Sequence, residues 1–139
     1  MIIKQISAFI ENKPGRLAEV VGMFAKNSVD LRALSIADTT DFGILRVIVD
    51  KPEEVAVMLR EAKVTVSLTD VIAVKLKDKP GALADLLKTL AAQDISVEYL
   101  YAFVARNSDN SAYVVIRVED NKSASGILKD CGYEGVSAI

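Results

Sequence analysis

Two short segments of the sequence carry the residues best suited to bind a small charged molecule. The first reads Asn-Lys-Pro-Gly-Arg-Leu over residues 12–17, and the second reads Asp-Lys-Pro-Gly-Ala-Leu over residues 78–83, which is 66 positions later. Proline is favoured at the first position of a helix, where its missing amide would have no partner anyway. We therefore expect a helix to begin at Pro14 and another at Pro80.

The backbone amides that follow these prolines are the groups most able to hold a ligand. Lys13 and Lys79 are poor N-cap residues because their side chains have no short hydrogen-bond acceptor. The amides around Gly15 and Gly81 are thus expected to stay without a partner, and such amides at the positive end of a helix dipole attract a carboxylate or phosphate. Two interpretations stay open: the segments bind a ligand, or they are only tight connections.

The polar side chains of the two segments differ. Asn12 and Asp78 could accept a hydrogen bond from an ammonium group, or they could cap the helix that follows. Arg16 could contact an anionic group or lie in solvent, and the second segment has Ala82 in its place. The segments therefore offer the same backbone donors with different side chains around them.

The composition excludes several kinds of site. The sequence has no histidine, and its single cysteine is Cys131. A hydrolase that uses a histidine base is excluded, and so is a zinc site of histidine and cysteine ligands. With 17 basic and 19 acidic side chains, the chain also lacks the basic excess that binds a nucleic-acid backbone. We expect no cofactor and no metal, and the lone cysteine fits a reducing compartment.

The sequence consists of two copies of one unit. The match around the Pro-Gly segments continues at the same spacing, as from Val29 to Ile95, and nearer the C-terminus the spacing becomes 69, as from Leu59 to Leu128. This change requires three extra residues in the second copy, most simply within the polar residues 106–110. The predicted domains are therefore residues 1–69 and 70–139.

Each copy has the same order of predicted elements. A strand of alternating apolar residues precedes the Pro-Gly segment, and a helix with apolar residues at helical spacing follows it. Two more strands, a second helix and a short last strand complete the order β-α-β-β-α-β. This order predicts an α+β fold of two ferredoxin-like units, each an antiparallel sheet with both helices on one face.

At this point the sequence resembles the ACT domain family, whose small β-α-β-β-α-β modules bind amino acids and regulate metabolism. The resemblance rests on the two Pro-Gly-x-Leu turns, repeated in register, and on segments 28–31 and 94–97, which are similar to the start of the family's second strand. It covers both copies and implies a free-standing protein with two ACT domains.

The resemblance also implies where a ligand binds. Two units of this family commonly pack side by side into an eight-stranded sheet, and the ligand lies where the first turn of one unit meets the second strand of the other. One site would comprise Asn12, Gly15, Arg16, Leu17, Ser96 and Val97. The other would comprise Asp78, Gly81, Ala82, Leu83, Asp30 and Leu31. The turn amides would bind the carboxylate of a free amino acid, and the short polar side chains would bind its ammonium group.

The sequence departs from the family pattern at the start of the second strand. The family often has asparagine at the positions of Asp30 and Ser96. Asp30 and Asp78 would put two carboxylates into one site, whereas the other site would have Asn12 and Ser96. We therefore expect the two sites to differ in affinity.

Half of the eight phenylalanine and tyrosine residues lie close together in the second copy, namely Tyr99, Tyr101, Phe103 and Tyr113. They could line a pocket for an aromatic ligand, or they could pack across strands on a sheet face without helices. Phe9, Ile44, Ile48 and Val115 would share that face. Because an apolar sheet face needs a cover, we expect a homodimer. Cys131 is expected to be a small core residue at the end of the last helix.

The sequence thus predicts a non-catalytic regulatory protein that binds a free amino acid. A second interpretation is a regulatory subunit or interaction module that acts on a partner enzyme of amino acid biosynthesis or on a transporter. An enzyme that hydrolyses acyl phosphates matches Asn12 and Arg16 only loosely, and an RNA-binding protein would need basic residues around Tyr99 and Tyr101. Without a signal peptide or an apolar run of membrane-spanning length, we expect a cytoplasmic protein that contacts neither membrane nor nucleic acid.

Overall fold

The computed structural model describes residues 1–38, 41–104 and 110–137. This part of the chain forms seven strands and four helices. In chain order they are β1 (Ile2–Glu11), α1 (Arg16–Lys26), β2 (Leu31–Asp38), β3 (Phe42–Val49), α2 (Pro52–Glu61), β4 (Thr65–Lys77), α3 (Ala82–Ala91), β5 (Val97–Val104), β6 (Ser111–Val118), α4 (Asn121–Asp130) and β7 (Glu134–Gly135).

The chain divides into two compact units. The first unit comprises Lys4–Thr69, and the second unit comprises the chain from Asp70 onward together with Met1–Ile3. Each unit has its own apolar core.

The first unit is an antiparallel sheet with its helices packed on one core. β3 lies between β1 and β2, so that Val47 is opposite Ile6 on one side and opposite Leu34 on the other. Alternate residues of β1 and β3 are apolar, which places them on one face of the sheet. They form the core with α1 and α2, and its buried helix residues are Val20, Phe24, Val55 and Leu59.

The second unit repeats this arrangement. β6 lies between β4 and β5, so that Ile116 is opposite Ile72 on one side and opposite Leu100 on the other. The short strand β7 pairs with β4, with Gly135 opposite Val74. The core includes Leu86, Leu90 and Leu128 from α3 and α4. The predicted α+β fold of two β-α-β-β-α-β units is confirmed.

The last strand of the first copy and the first strand of the second are one continuous strand, β4. We expected two separate strands, one over residues 64–68 and one beginning near Ile72. No glycine or proline lies between Thr65 and Lys77 to end the strand. The described residues therefore hold seven strands, although the sequence predicts eight.

The two ends of the described chain meet at the first strand of the second unit. The Ala73 N–H donates to the carbonyl oxygen of Met1 at 2.8 Å, and the Ala73 oxygen accepts from the Val136 N–H at 3.0 Å. Met1 also packs against the core of the second unit. β7 covers only Glu134–Gly135 of the strand predicted over 133–139, whose last two residues lie outside the described chain. Of the predicted insertion at 106–110, only Asn110 is described.

The aromatic residues of the second copy are largely buried within the single chain. Tyr101 and Tyr113 are each 9% exposed, and Val115 is fully buried. Phe103 stacks on Tyr113 with ring centroids 5.3 Å apart. The expectation of an open apolar face is wrong at Tyr101, Tyr113, Ile48 and Val115, whereas Phe9 of the same predicted face is 46% exposed. The homodimer stays a prediction.

Cys131 is not a core residue. It is exposed, and it is the C-cap residue of α4. The buried face of this helix ends one turn earlier, at Leu128, because Cys131 follows the last helical residue and starts the turn towards β7.

Candidate functional site

The first Pro-Gly segment forms a tight turn just before α1. The Arg16 N–H donates to the Lys13 carbonyl oxygen at 3.3 Å, and Gly15 has φ 84° and ψ −16°. These values place Pro14 and Gly15 at the two central positions of a type II turn, where proline and glycine are the favoured residues.

The second segment forms the same turn before α3. The Ala82 N–H donates to the Lys79 carbonyl oxygen at 3.3 Å, and Gly81 has φ 90° and ψ −20°. α1 and α3 therefore begin one residue after the glycine, at Arg16 and at Ala82. The prediction that each helix begins at its proline is wrong, because the proline serves the turn that precedes the helix.

The turn leaves backbone amides of α1 without a partner. The first i to i−4 bond of this helix runs from the Glu19 N–H to the Gly15 oxygen at 2.9 Å. The N–H groups of Leu17 and Ala18 come before this bond and donate to no group in the described part of the chain. No side chain caps the helix, so both donors are available to a ligand.

The same pair of donors recurs in α3. Here the first i to i−4 bond runs from the Asp85 N–H to the Gly81 oxygen at 2.9 Å. The N–H groups of Leu83 and Ala84 have no acceptor among the described residues, and again no side chain caps the helix. We call the N–H groups of residues 17, 18, 83 and 84 the turn amides.

Asn12 and Asp78 lie at the entry of each turn without capping the helix. Both are exposed. Their own N–H groups are bonded, from Asn12 to the Asp41 oxygen at 3.0 Å and from Asp78 to the Asn110 oxygen at 2.8 Å. No side chain caps α1 or α3, so these two side chains do not serve as caps. Acceptance from an ammonium group stays a prediction.

An exposed leucine follows each turn. Leu17 is 40% exposed and Leu83 is 36% exposed, whereas Leu86 and Leu90 one and two turns further along α3 are fully buried. Each pair of turn amides thus lies next to an apolar side chain that the chain itself does not cover. A ligand with a carboxylate and an apolar part could use both.

Arg16 makes an ion pair inside its own helix. Its Nη1 donates to Glu19 Oε2 at 2.9 Å, and its side chain is only 17% exposed. It is therefore not a solvated side chain, and its contact with a ligand stays a prediction. Ala82 at the same position of the second unit leaves Asp85, the counterpart of Glu19, without this partner.

The predicted residues at the start of the second strands lie at the opposite end of α1 and α3 from the turns. Asp30 is exposed and pairs with Arg32, with Nε 3.3 Å from Oδ2. Ser96 is exposed, and the half-buried Val97 is opposite Val118. In the first unit the half-buried Leu31 is opposite Val49. Each predicted site combines a turn of one unit with a strand of the other. This combination stays a prediction.

The electrostatics of the two turns differ. Lys13 donates a hydrogen bond to Glu11, 2.9 Å from Nζ to Oε2, and this bond holds the pKa of the Glu11 carboxyl below its ordinary value. Attraction to the charge of Lys13 lowers this pKa further, and Arg16 adds to it. In the second unit the residue at the position of Glu11 is Lys77, so no such pair exists at the second turn.

A groove of about 490 Å³ lies beside the second turn. Its lining includes Lys79 and Ala82, on either side of the Pro80–Gly81 turn, together with Lys77, Asp85 and Tyr133. No sequence pattern predicted this groove. The signal was present as two positions where the copies differ in charge, Glu11 against Lys77 and Arg16 against Ala82.

In residues 1–38, 41–104 and 110–137, no group of three or more acidic or cysteine side chains is arranged to hold a metal ion. No helix in these ranges is long and apolar enough to cross a membrane.

Comparison with known families decides the relationship. The family model for an ACT domain pair matches residues 1–134. The chain belongs to the ACT domain family. This confirms the resemblance seen in the two Pro-Gly turns, and the match spans both units of the ACT domain pair.

Solved structures are similar to this ACT domain pair over nearly its whole length. A protein from Bacteroides thetaiotaomicron shares 40% sequence identity, with 98% of this chain and 92% of that chain covered and a TM-score of 0.91. The ligand-free regulatory subunit of aspartate kinase from Thermus thermophilus shares 15% identity, with 95% and 97% covered and a TM-score of 0.64.

A third similar structure is the regulatory subunit of aspartate kinase from Thermus flavus, with 16% identity, 94% of each chain covered and a TM-score of 0.63. At these identities the two kinase subunits show a shared fold. No curated protein matches the ACT domain pair.

Proposed function

We propose that this ACT domain pair is a non-catalytic regulatory module that binds a free amino acid at its Pro-Gly turns. The observation that carries the proposal is the pair of unbonded turn amides, present in both units behind a glycine of positive φ and beside an exposed leucine. The chain keeps this arrangement twice, although the charged residues around it differ.

The turn amides suit a carboxylate because hydrogen bonds from backbone N–H groups to an ionised acceptor are stronger than those between neutral groups. Leu17 and Ala18, or Leu83 and Ala84, would donate to the ligand carboxylate. Asn12 or Asp78 would accept from its ammonium group. These contacts involve only groups that every amino acid has, and none of them performs a reaction.

The resemblance adds the start of a second strand to each site, Ser96 and Val97 to the first turn, and Asp30 and Leu31 to the second. With Asp78 and Asp30, the second site would have two carboxylates around the ammonium group, whereas Asn12 and Ser96 are neutral. The two sites of the proposal therefore differ in affinity.

Regulation requires that the ligand bind two arrangements of the protein unequally. The proposed target is a partner enzyme of amino acid metabolism supplied by another chain in the cytoplasm. The similarity of fold to regulatory subunits of aspartate kinase supports a role as a subunit without catalysis of its own. A homodimer remains part of the proposal, to be measured by sedimentation.

The experiment is a thermal-shift panel of the common amino acids. A ligand at a hundredfold excess over Kd stabilises the folded protein by about 2.7 kcal/mol, which corresponds to a rise in Tm of roughly 5–15 °C. At least one amino acid should give such a shift, and its carboxamide should give little, because it lacks the charge that the turn amides bind. Calorimetry with that ligand should resolve two affinities. A flat panel, or an amide as effective as the acid, would contradict the proposal.

A further inference from the structure

The two turns are not equivalent in charge. At the first turn each charge has a partner close by. Lys13 pairs with Glu11 at 2.9 Å, and Arg16 pairs with Glu19 at 2.9 Å. The first turn is therefore neutralised by its own side chains.

At the second turn a lysine replaces the acid that neutralises the first turn. Lys77 stands in the position of Glu11 and Lys79 in that of Lys13, so that one cation lies at the end of β4 and the other two residues later. Neither Lys77 nor Lys79 forms an ion pair within the described ranges. Asp78 lies between them in the chain but does not line the groove that both lysines line. Two nearby positive charges facing one groove attract an anion.

The replacement of Arg16 by Ala82 opens space at the same place. In the first unit the long arginine side chain lies over the first turn of α1 and reaches Glu19. Alanine ends at Cβ, so the corresponding space over α3 is empty and its acid, Asp85, makes no ion pair in the described chain. Both Ala82 and Asp85 line the groove of about 490 Å³, which is large enough for an amino acid.

Two further charged residues of the groove form an ion pair. Lys75 Nζ is 3.8 Å from Glu134 Oε2. The groove therefore retains the charges of Lys77, Lys79 and Asp85, which are two positive and one negative. An amino acid with an acidic side chain has the complementary set at neutral pH, with two carboxylates and one ammonium group.

We propose that the second unit selects an acidic amino acid, L-aspartate or L-glutamate, through this groove. The inference rests on the proposed function, since it names the ligand class for one of its two turns. The α-carboxylate would bind the turn amides of Leu83 and Ala84, and the side-chain carboxylate would bind Lys77 and Lys79. The carboxylate of Asp85 would accept from the ammonium group together with that of Asp78, and Tyr133 and Ala82 would contact the methylene carbons.

The experiment compares acidic ligands with their neutral isosteres by calorimetry on the full chain. L-aspartate should bind at least tenfold more tightly than L-asparagine, or L-glutamate at least tenfold more tightly than L-glutamine. The preference should fall several-fold at high salt, because the lysines are partly exposed to solvent.

Three variants test the residues of the groove, and a fourth variant is the matched control. Lys79→Gln and Lys77→Glu should each remove most of the preference for the acid, the latter by giving Lys79 the partner that Lys13 has. Ala82→Arg should also remove it, because the new side chain would fill the groove and pair with Asp85. Lys88→Gln, in the last turn of α3, should leave it unchanged. Circular dichroism and Tm establish that each variant is folded.

The outcomes separate this inference from the proposed function. If neutral amino acids bind and the acids bind no better, the inference is overturned while the proposed function stands. If acids are preferred but all three variants keep the preference, selection lies elsewhere and the inference is again wrong. If no amino acid binds at all, both fail. Should Ala82→Arg not fold, the two lysine variants still decide.

Discussion

At the scale of single residues, the two turn glycines have a backbone conformation that other residues avoid. Gly15 and Gly81 have φ values of 84° and 90°, and a Cβ atom added at either would meet nothing within 4 Å. The requirement for glycine is thus conformational and not steric. A residue with a side chain would have to adopt a left-handed conformation, which costs about 1–2 kcal/mol.

This gives a prediction with opposite signs for similar substitutions. Gly15→Ala and Gly81→Ala should each lower the free energy of unfolding by about 1 kcal/mol. Gly22 lies within α1 at an open position without positive φ, so Gly22→Ala should raise it by about 0.5–1 kcal/mol, since alanine is the better helix former. Urea unfolding measures all three, and stabilisation by Gly15→Ala would contradict the turn geometry.

The sequence predicted the turn residues better than their environment. A proline followed by a glycine indicates either a turn or the start of a helix, and both fit the chemistry of proline. The sequence alone therefore predicts helices that begin at Pro14 and Pro80. Only the positive φ of the glycine distinguishes the two. The charge pairs of Lys13 and Arg16 were missed because they depend on side-chain directions, which the spacing of residues alone does not give.

At the scale of elements, the repeat shows which helix ends are well capped. Asp120 is the N-cap of α4, and its Oδ1 accepts from the Ser123 N–H at 2.9 Å. The equivalent N-cap of α2 is Lys51, which provides no side-chain cap. The start of α4 therefore has a bonded donor that the start of α2 lacks.

The two ends should respond in opposite directions to substitution. Asp120→Ala should destabilise the protein by about 1 kcal/mol, because it removes the only side-chain bond to the first amides of α4 among the described residues. Lys51→Asp should stabilise it by about 0.5 kcal/mol, because the acceptor supplied to α2 outweighs the loss of the exposed ion pair between Lys51 and Glu54 at 3.5 Å. Chemical unfolding tests both, and a Lys51→Asp variant less stable than the parent chain would count against this account of the caps.

The elements themselves were predictable because each copy constrained the interpretation of the other. A periodic pattern seen twice, as for α1 and α3, is stronger evidence than one seen once. Their ends were less predictable. β4 continues through residues 65–72 because nothing there breaks a strand. β7 covers only Glu134–Gly135 of the described residues, and the Ala73 N–H next to it on β4 donates to Met1 instead.

At the scale of the whole molecule, the chain repeats one fold and gives the two copies different chemistry. Repetition conserves the backbone features, namely the Pro-Gly turn, the unbonded turn amides and the exposed leucine. The charged residues around the turns differ. Lys13 and Arg16 form ion pairs at the first turn, whereas the second turn has Lys77 in place of Glu11 and Ala82 in place of Arg16. Such a molecule would bind the common part of an amino acid at both turns and discriminate side chains at one.

The topology of the whole was predictable from the order of elements, whereas the burial of particular side chains was not. Tyr101 and Tyr113 lie on strands as expected, but the alternation of residues along a strand does not indicate what covers each face. For the same reason the sequence could not distinguish Val115, which is fully buried, from Phe9, which is 46% exposed on the same predicted face.

The central claim is that the turn amides bind the carboxylate of an amino acid. The most direct test is a titration of the ¹⁵N-labelled protein with the best ligand from the panel, followed by two-dimensional NMR of the backbone amides. The account predicts that the largest chemical shift changes include the amides of Leu17 and Ala18, or of Leu83 and Ala84, with the adjoining glycine. Saturable binding that leaves these amides unshifted and moves a different part of the chain would contradict it.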